Sequence, residues 1–253
     1  AMSGRHTPTD RSYAFTNATL FTMTRGVIPN GTLVVQDGKI VSAQAGGAVA
    51  KSMRAIDVGG RVVLPGWVSA RAYPNEWVGD LKFQVQNDEV IEPVMPEMRA
   101  RFAIDPWFPS FPVLREIGIT SQNITPGHVN LVGGSGVFIK TRGMDRNEMV
   151  RKEPTSLVLS LNSEAARYWG KNSQVPLTVQ SADAMIRQSL ESARKYKDQG
   201  ATREYSQRLE AWLPALTRQV PVIIHAAAVD EIRAALKLAA DFNLRAIVSG
   251  GRE

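Results

Sequence analysis

Arg71 and Tyr73 alternate at the end of an apolar run, Val62-Val63-Leu64-Pro65-Gly66-Trp67-Val68-Ser69-Ala70-Arg71-Ala72-Tyr73-Pro74. Residues two apart on a strand project to the same face. A guanidinium and a phenol placed so can hold an anionic or carbonyl group. His225 ends a second apolar run, Val220-Pro221-Val222-Ile223-Ile224, where an imidazole can act as a general base. Lys140 closes Val137-Phe138-Ile139, and His128 sits in the glycine-rich stretch Thr125-Pro126-Gly127-His128-Val129-Asn130-Leu131-Val132-Gly133-Gly134-Ser135-Gly136. Each has a plain alternative: His225 as a hydrogen-bonded rim histidine, Lys140 as a solvated strand end, His128 as an ordinary loop residue. The glycines also admit a phosphate-cradling reading. The order here is loop then strand, however, and no Gly-Lys-Ser/Thr follows, as a phosphate loop requires.

These side chains need elements to position them. Short β-forming stretches at 13–15, 19–21, 32–36, 39–42, 55–58 and 61–64 are punctuated by Pro29-Asn30-Gly31, Asp37-Gly38 and Gly59-Gly60, which read as turns. No helical periodicity appears before residue 64, and a small β-sandwich over 12–63 is expected. Residues 71–99 are long, polar and irregular, which favours a functional loop. A helix is expected over 108–117, a strand over 119–124 and another over 157–161. Ser181 is expected to cap a helix over 182–196, and a further helix spans 205–217 with Leu209, Trp212, Leu213 and Leu216 on one side. The run ending in His225, a helix over 229–242 with Asn243 as its cap, and a strand over 244–249 make a strand-helix-strand unit of a parallel sheet.

Composition narrows the classes. The chain has 253 residues, 43% hydrophobic and 21% charged, which is enough for one barrel or two smaller domains. The net charge of +6 is scattered without a Lys/Arg block, so nucleic acid is not an expected partner. There is no cysteine, which excludes disulfides, cysteine–zinc sites and thiol catalysis and leans toward an exported protein. No apolar run is long enough for a membrane span. Residues 1–11 are a polar tail without the apolar core of a signal peptide, and Ala1-Met2 reads as a cloning remnant.

Taken together, these stretches resemble the metal-dependent amidohydrolase superfamily. Its first barrel strand reads roughly L-P-G-hydrophobic-hydrophobic-D-x-H-x-H-P, and Leu64, Pro65, Gly66 and Pro74 fit that frame. Arg71 and Tyr73 stand at the two histidine positions and Ser69 at the aspartate. Asn30-Gly31 through Asp37-Gly38-Lys39-Ile40, with Asp57 through Leu64-Pro65-Gly66, resembles the family's N-terminal sandwich. Asp105-Pro106, Gly118-Ile119-Thr120 and the glycine-rich loop running into Lys140 resemble an imidazolonepropionase-like and peptidase-like subgroup.

The resemblance implies an α/β fold: the 12–63 sandwich followed, over 64–253, by the N-terminal part of a (β/α)8 barrel, about six strands, with the remainder supplied by another polypeptide. That polypeptide would be a separate subunit, such as a homologous amidohydrolase chain giving a hetero-oligomer, a cleaved partner, or a second copy of this chain. The family hydrolyses amide and related C–N bonds with metal-activated water. Lys140 and His225 match its strand-closing metal ligands, whereas Arg71 and Tyr73 are not zinc donors, so zinc from two candidate ligands, or no cofactor at all, is what the residues offer. Three readings follow: a degenerate subunit with a structural or regulatory role, an active hydrolase of cyclic amides or small peptides rebuilt around His225, Lys140, Arg71 and Tyr73, or a protein that binds a small molecule at the barrel mouth; His128 is a candidate substrate contact.

Overall fold

The computed structural model describes residues 12–51, 53–74, 87–171, 176 and 178–252. The chain divides into two compact units, Ala1–Gly66 and Trp67–Glu253.

In the first unit, β1 (Tyr13–Phe21), β2 (Val27–Gln36), β3 (Lys39–Ala45), β4 (Arg54–Asp57) and β5 (Val62–Val63) form one sheet. Its order is β3-β2-β1-β4, with β5 also on β1. Asp37 and Gly38 join β2 to β3 with φ of 50° and 76°, the doubly left-handed backbone of a two-residue hairpin. Pro29-Asn30-Gly31, expected as a turn, instead lies within β2. The pairing of β1 with β2 shifts register there, and Asn30 absorbs the irregularity at φ 49°. Gly31 is required because a Cβ would lie 2.7 Å from Leu20 Cδ1. The turn that joins β1 to β2 is at Thr22 and Gly26, where Thr22 N donates to Gly26 O at 3.2 Å. Among the described residues these five strands belong to one hydrogen-bonded sheet.

The second unit holds β6 (Trp67–Ala72), α1 (Ser110–Glu116), β7 (Ile119–Ile124), β8 (Val132–Ser135), β9 (Val137–Lys140), α2 (Arg146–Met149), β10 (Val150–Lys152), β11 (Leu157–Ser160), α3 (Ser163–Lys171), α4 (Val179–Asp198), α5 (Gln207–Glu210), α6 (Leu213–Leu216), β12 (Val222–Ala226), α7 (Val229–Asp241) and β13 (Ala246–Gly250). They form two four-stranded sheets, ordered β10-β9-β7-β6 and β13-β12-β11-β8. The pairs β6–β7, β11–β12 and β12–β13 are parallel; β7–β9, β9–β10 and β8–β11 are antiparallel. Thus the glycine-rich stretch is not all loop. Val132–Ser135 is a strand of one sheet, and one residue later Val137–Lys140 enters the other. Gly134 permits this at φ 101°, where a Cβ would meet Met98 O at 2.2 Å.

β11 is buried throughout and β12 nearly so, as expected of central parallel strands. α4 covers them with Ala182, Ile186, Leu190 and Ala193, all buried at helical spacing. Its cap is Thr178, whose Oγ1 accepts from Ser181 N at 3.2 Å, so Ser181 lies inside the first turn and is not the cap. The helix expected over 205–217 is two short helices, α5 and α6, with Pro214 at the start of the second. α7 ends with Asn243 at φ 52°, the left-handed stop expected of it.

Candidate functional site

Parallel pairing brings the C-terminal ends of β11, β12 and β13 level: Ser160 is in register with His225, and His225 with Ser249. In-register residues of neighbouring strands share a face. Arg71, near the end of β6, reaches this row. Its Nη1 donates to Ser249 Oγ, its Nε donates to Thr125 Oγ1 at 3.4 Å, and its guanidinium carbon lies 5.2 Å from the centre of the Tyr73 ring. Tyr73 Oη and His128 Nδ1 share a hydrogen bond of 3.1 Å. The His128 ring in turn lies 4.2 Å from the His225 ring, centre to centre. β6 and β13 are outer strands of different sheets, so one arginine ties the two sheets together at their strand ends.

The cluster is held from two sides. Residues 87–89 pack on the loop after β7: Gly127 N donates to Asn87 O at 2.8 Å, Val129 N donates to Asp88 Oδ1 at 3.0 Å, and Asn130 Nδ2 donates to Glu89 O. Burial pushes the Asp88 carboxyl above its ordinary pKa, against the opposing pull of Val129 N–H, His128 and Asn130 N–H. On the other side, Glu231 of α7 accepts from Ser163 N at 2.7 Å, Ala227 N at 2.9 Å and Ala228 N at 3.2 Å. Burial alone pushes this carboxyl up, but the three backbone donors outweigh it and hold the pKa below its ordinary value. The loops after β11 and β12 are thereby fixed around a cavity of about 180 Å³ that His225 borders.

His225 is lowered to a pKa of about 4, first by burial, then by the charges of His128 and Arg71, with Glu164 and Glu231 pulling weakly the other way. It is therefore neutral at pH 7, and its conjugate acid is too strong for an efficient general base there. Arg71 Nη2, His225 Nδ1 and Ser160 Oγ are buried with no hydrogen-bond partner among the described residues.

Of the residues singled out in the sequence, Arg71, Tyr73, His128 and His225 come together. Lys140 does not join them. β9 runs antiparallel to β7, so Lys140 pairs with Ser121 near the start of β7, donates to Ser121 Oγ at 3.0 Å, and is exposed. Ser160, Thr125 and Asp88 escaped the sequence reading. Hydroxyls at strand ends carry no motif, and only the register of β11 with β12 reveals Ser160.

A catalytic zinc takes three protein donors and a structural zinc four. Among the described residues no three His, Cys, Asp or Glu side chains are grouped to hold a metal ion. The cluster supplies two imidazoles, one already hydrogen-bonded to a phenol, and places a guanidinium cation among them. This donor set does not fit the metal chemistry of an H-x-H strand.

No protein-family model matches the chain, and no curated protein does. Among solved structures, an amidohydrolase from Thermotoga maritima MSB8 is similar with a TM-score of 0.84 at 25% identity, over 93% of this chain and 63% of that one. The chain thus spans less than two thirds of that protein's length. An L-hydantoinase (dihydropyrimidinase) from Arthrobacter aurescens is similar at 14% identity and a TM-score of 0.31, over 93% of this chain and 57% of that one. An N-acetylglucosamine-6-phosphate deacetylase from Pasteurella multocida stands at 12% identity and a TM-score of 0.30, over 87% and 36%. Scores this low carry no argument. The weight rests on the first structure, which together with the mixed α/β architecture supports the metal-dependent amidohydrolase superfamily.

Proposed function

We propose that this is an amidohydrolase-family chain in which Arg71 and Tyr73 have replaced the metal-gripping histidines, and that it has a structural or regulatory role in a larger assembly. The observation that carries this reading is Arg71 itself. A guanidinium bonded to Ser249 and Thr125 and stacked on Tyr73 fills the strand-end position with a fixed charge that repels a divalent ion. The outer strands support an assembly: Trp67 and Val68 on β6 are 61% and 56% exposed, and Ile247 on β13 is 50% exposed. Further polypeptide, of this protein or of a homologous amidohydrolase chain, would cover these edges and complete an eight-stranded barrel of which β6, β7 and β11–β13 are the parallel strands. Metal analysis of the protein purified with its natural partners tests the reading. Less than a tenth of an equivalent of divalent metal per chain is expected; two equivalents lost on mutation of Lys140 or His225 would contradict it.

A second reading is a hydrolase of cyclic amides or small peptides with a rebuilt site. It is favoured by the convergence of Arg71, Tyr73, His128 and His225, with Arg71 polarising a carbonyl and the neutral His225 imidazole accepting a hydrogen bond from the attacking water. Turnover of small cyclic amides and dipeptides that survives His225→Ala would remove it.

A further inference from the structure

Arg71 carries a charge that no carboxylate among the described residues answers. It takes part in none of their ion pairs, and its contacts are two hydroxyls and an aromatic face. Arg71 is half-buried with its Nη2 shielded from solvent, and a charge so placed is favoured by an opposite charge beside it. The unmet demand is localised. Arg71 Nη2 lacks an acceptor, and Ser160 Oγ and His225 Nδ1, level with each other on adjacent strands, are also unpartnered. His225 belongs both to this cluster and to the wall of the 180 Å³ cavity.

We propose that the cluster seats the carboxylate of a small organic acid, which accepts hydrogen bonds from Arg71 Nη2 and Ser160 Oγ while the rest of the molecule occupies the cavity bordered by His225, Asn162, Glu164 and Gly250. This rests on the metal-free reading above and names the ligand class for that site. A carboxylate satisfies both the hydrogen bonds and the charge, whereas a neutral amide satisfies only the first. The cavity wall carries Glu164 and Glu231 beside Arg252, so a carboxylate's single charge suits it better than the two charges of a phosphate dianion.

The test uses the full chain with any partner that co-purifies, and two probes that differ only in charge, N-acetylglycine and N-acetylglycinamide. The chain has three histidines, so the ring signals of His225 are readily assigned by NMR. The acid is expected to bind and shift those signals while the amide does not. Arg71→Met should weaken the acid by about 10- to 100-fold, Ser160→Ala by about 3- to 10-fold, and Lys140→Met not at all. Equal binding of acid and amide, or no shift of the His225 signals at tens of millimolar acid, overturns the proposal. If Arg71→Met does not fold, the probe pair on wild type and Ser160→Ala decide the matter. Chelation separates this proposal from the reading beneath it. Acid binding that survives removal of a bound metal supports the carboxylate seat and counts against the metal-free reading. Acid binding that vanishes with the metal overturns the seat.

Discussion

The two sheets of the second unit are built from similar strands and covered very differently. The β13-β12-β11-β8 sheet lies under α4 and α7, and its core joins Leu157, Leu159, Ile186, Leu190, Trp212, Val222, Ile224 and Leu238. The β10-β9-β7-β6 sheet has the seven-residue α1, a smaller core around Ile104, Phe108, Phe111, Ile124 and Met149, and an outer strand with Trp67 and Val68 largely exposed. His225 and Ser160 project from the well-packed sheet and Arg71 from the open one. The site is therefore rigid on one side, while on the other it depends on polar ties, above all Arg71 to Ser249.

Variants can break or sharpen that contrast. Trp212→Ala empties a fully buried position under α4 and should cost about 3–5 kcal/mol in chemical denaturation. A loss under 1 kcal/mol would mean that this core does not carry the unit. Glu231→Ala leaves three backbone N–H groups without their acceptor and should cost about 2–3 kcal/mol, with the loops after β11 and β12 losing hydrogen-exchange protection first. Because the Glu231 pKa is held below its ordinary value, its stabilisation is present above the unfolded-state pKa. It should disappear as pH falls through the folded value.

Arg71→Met should act mainly on His225. The folded-state pKa of about 4 lies below the ordinary 6.5, so the unfolded chain takes up the proton first and stability declines as pH drops from about 6.5 to about 4. Removing the Arg71 charge raises the His225 pKa and narrows that window, as an NMR titration of the imidazole will show. A pKa that stays near 4 in Arg71→Met would assign the depression to burial and His128 alone. The smallest effect belongs to the open edge. Val68→Ser should change the stability of the isolated chain by no more than about 0.5 kcal/mol, and a larger loss in the natural assembly would locate the covering partner on β6.

Local chemistry made much of this legible in the sequence. Asp37-Gly38 can hardly be other than a hairpin turn, and the Val222–Ala226 strand, α7 and the Ala246–Gly250 strand follow from an apolar run, a helical stripe and a second run. The misses come from tertiary override. Val132-Gly133-Gly134-Ser135 reads as loop because glycine disfavours strands, yet Met98 presses so close that only glycine fits. Thr178 displaced Ser181 as a cap because two equally good cap residues stood three apart, and the choice lay with the preceding backbone. In the site, alternation along a strand revealed Arg71 and Tyr73, and a strand end revealed His225. Lys140 had the same strand-end signature, but the direction of its strand was set by pairing with β7, which no local pattern encodes.

Anomalous diffraction at the zinc absorption edge, from crystals of the protein grown with zinc, measures the state of the Arg71 position directly. The account predicts no zinc peak within bonding distance of Tyr73, His128 or His225, with the guanidinium still on Ser249. A peak bonded to any of those three side chains, with Arg71 swung away from Ser249, would contradict it.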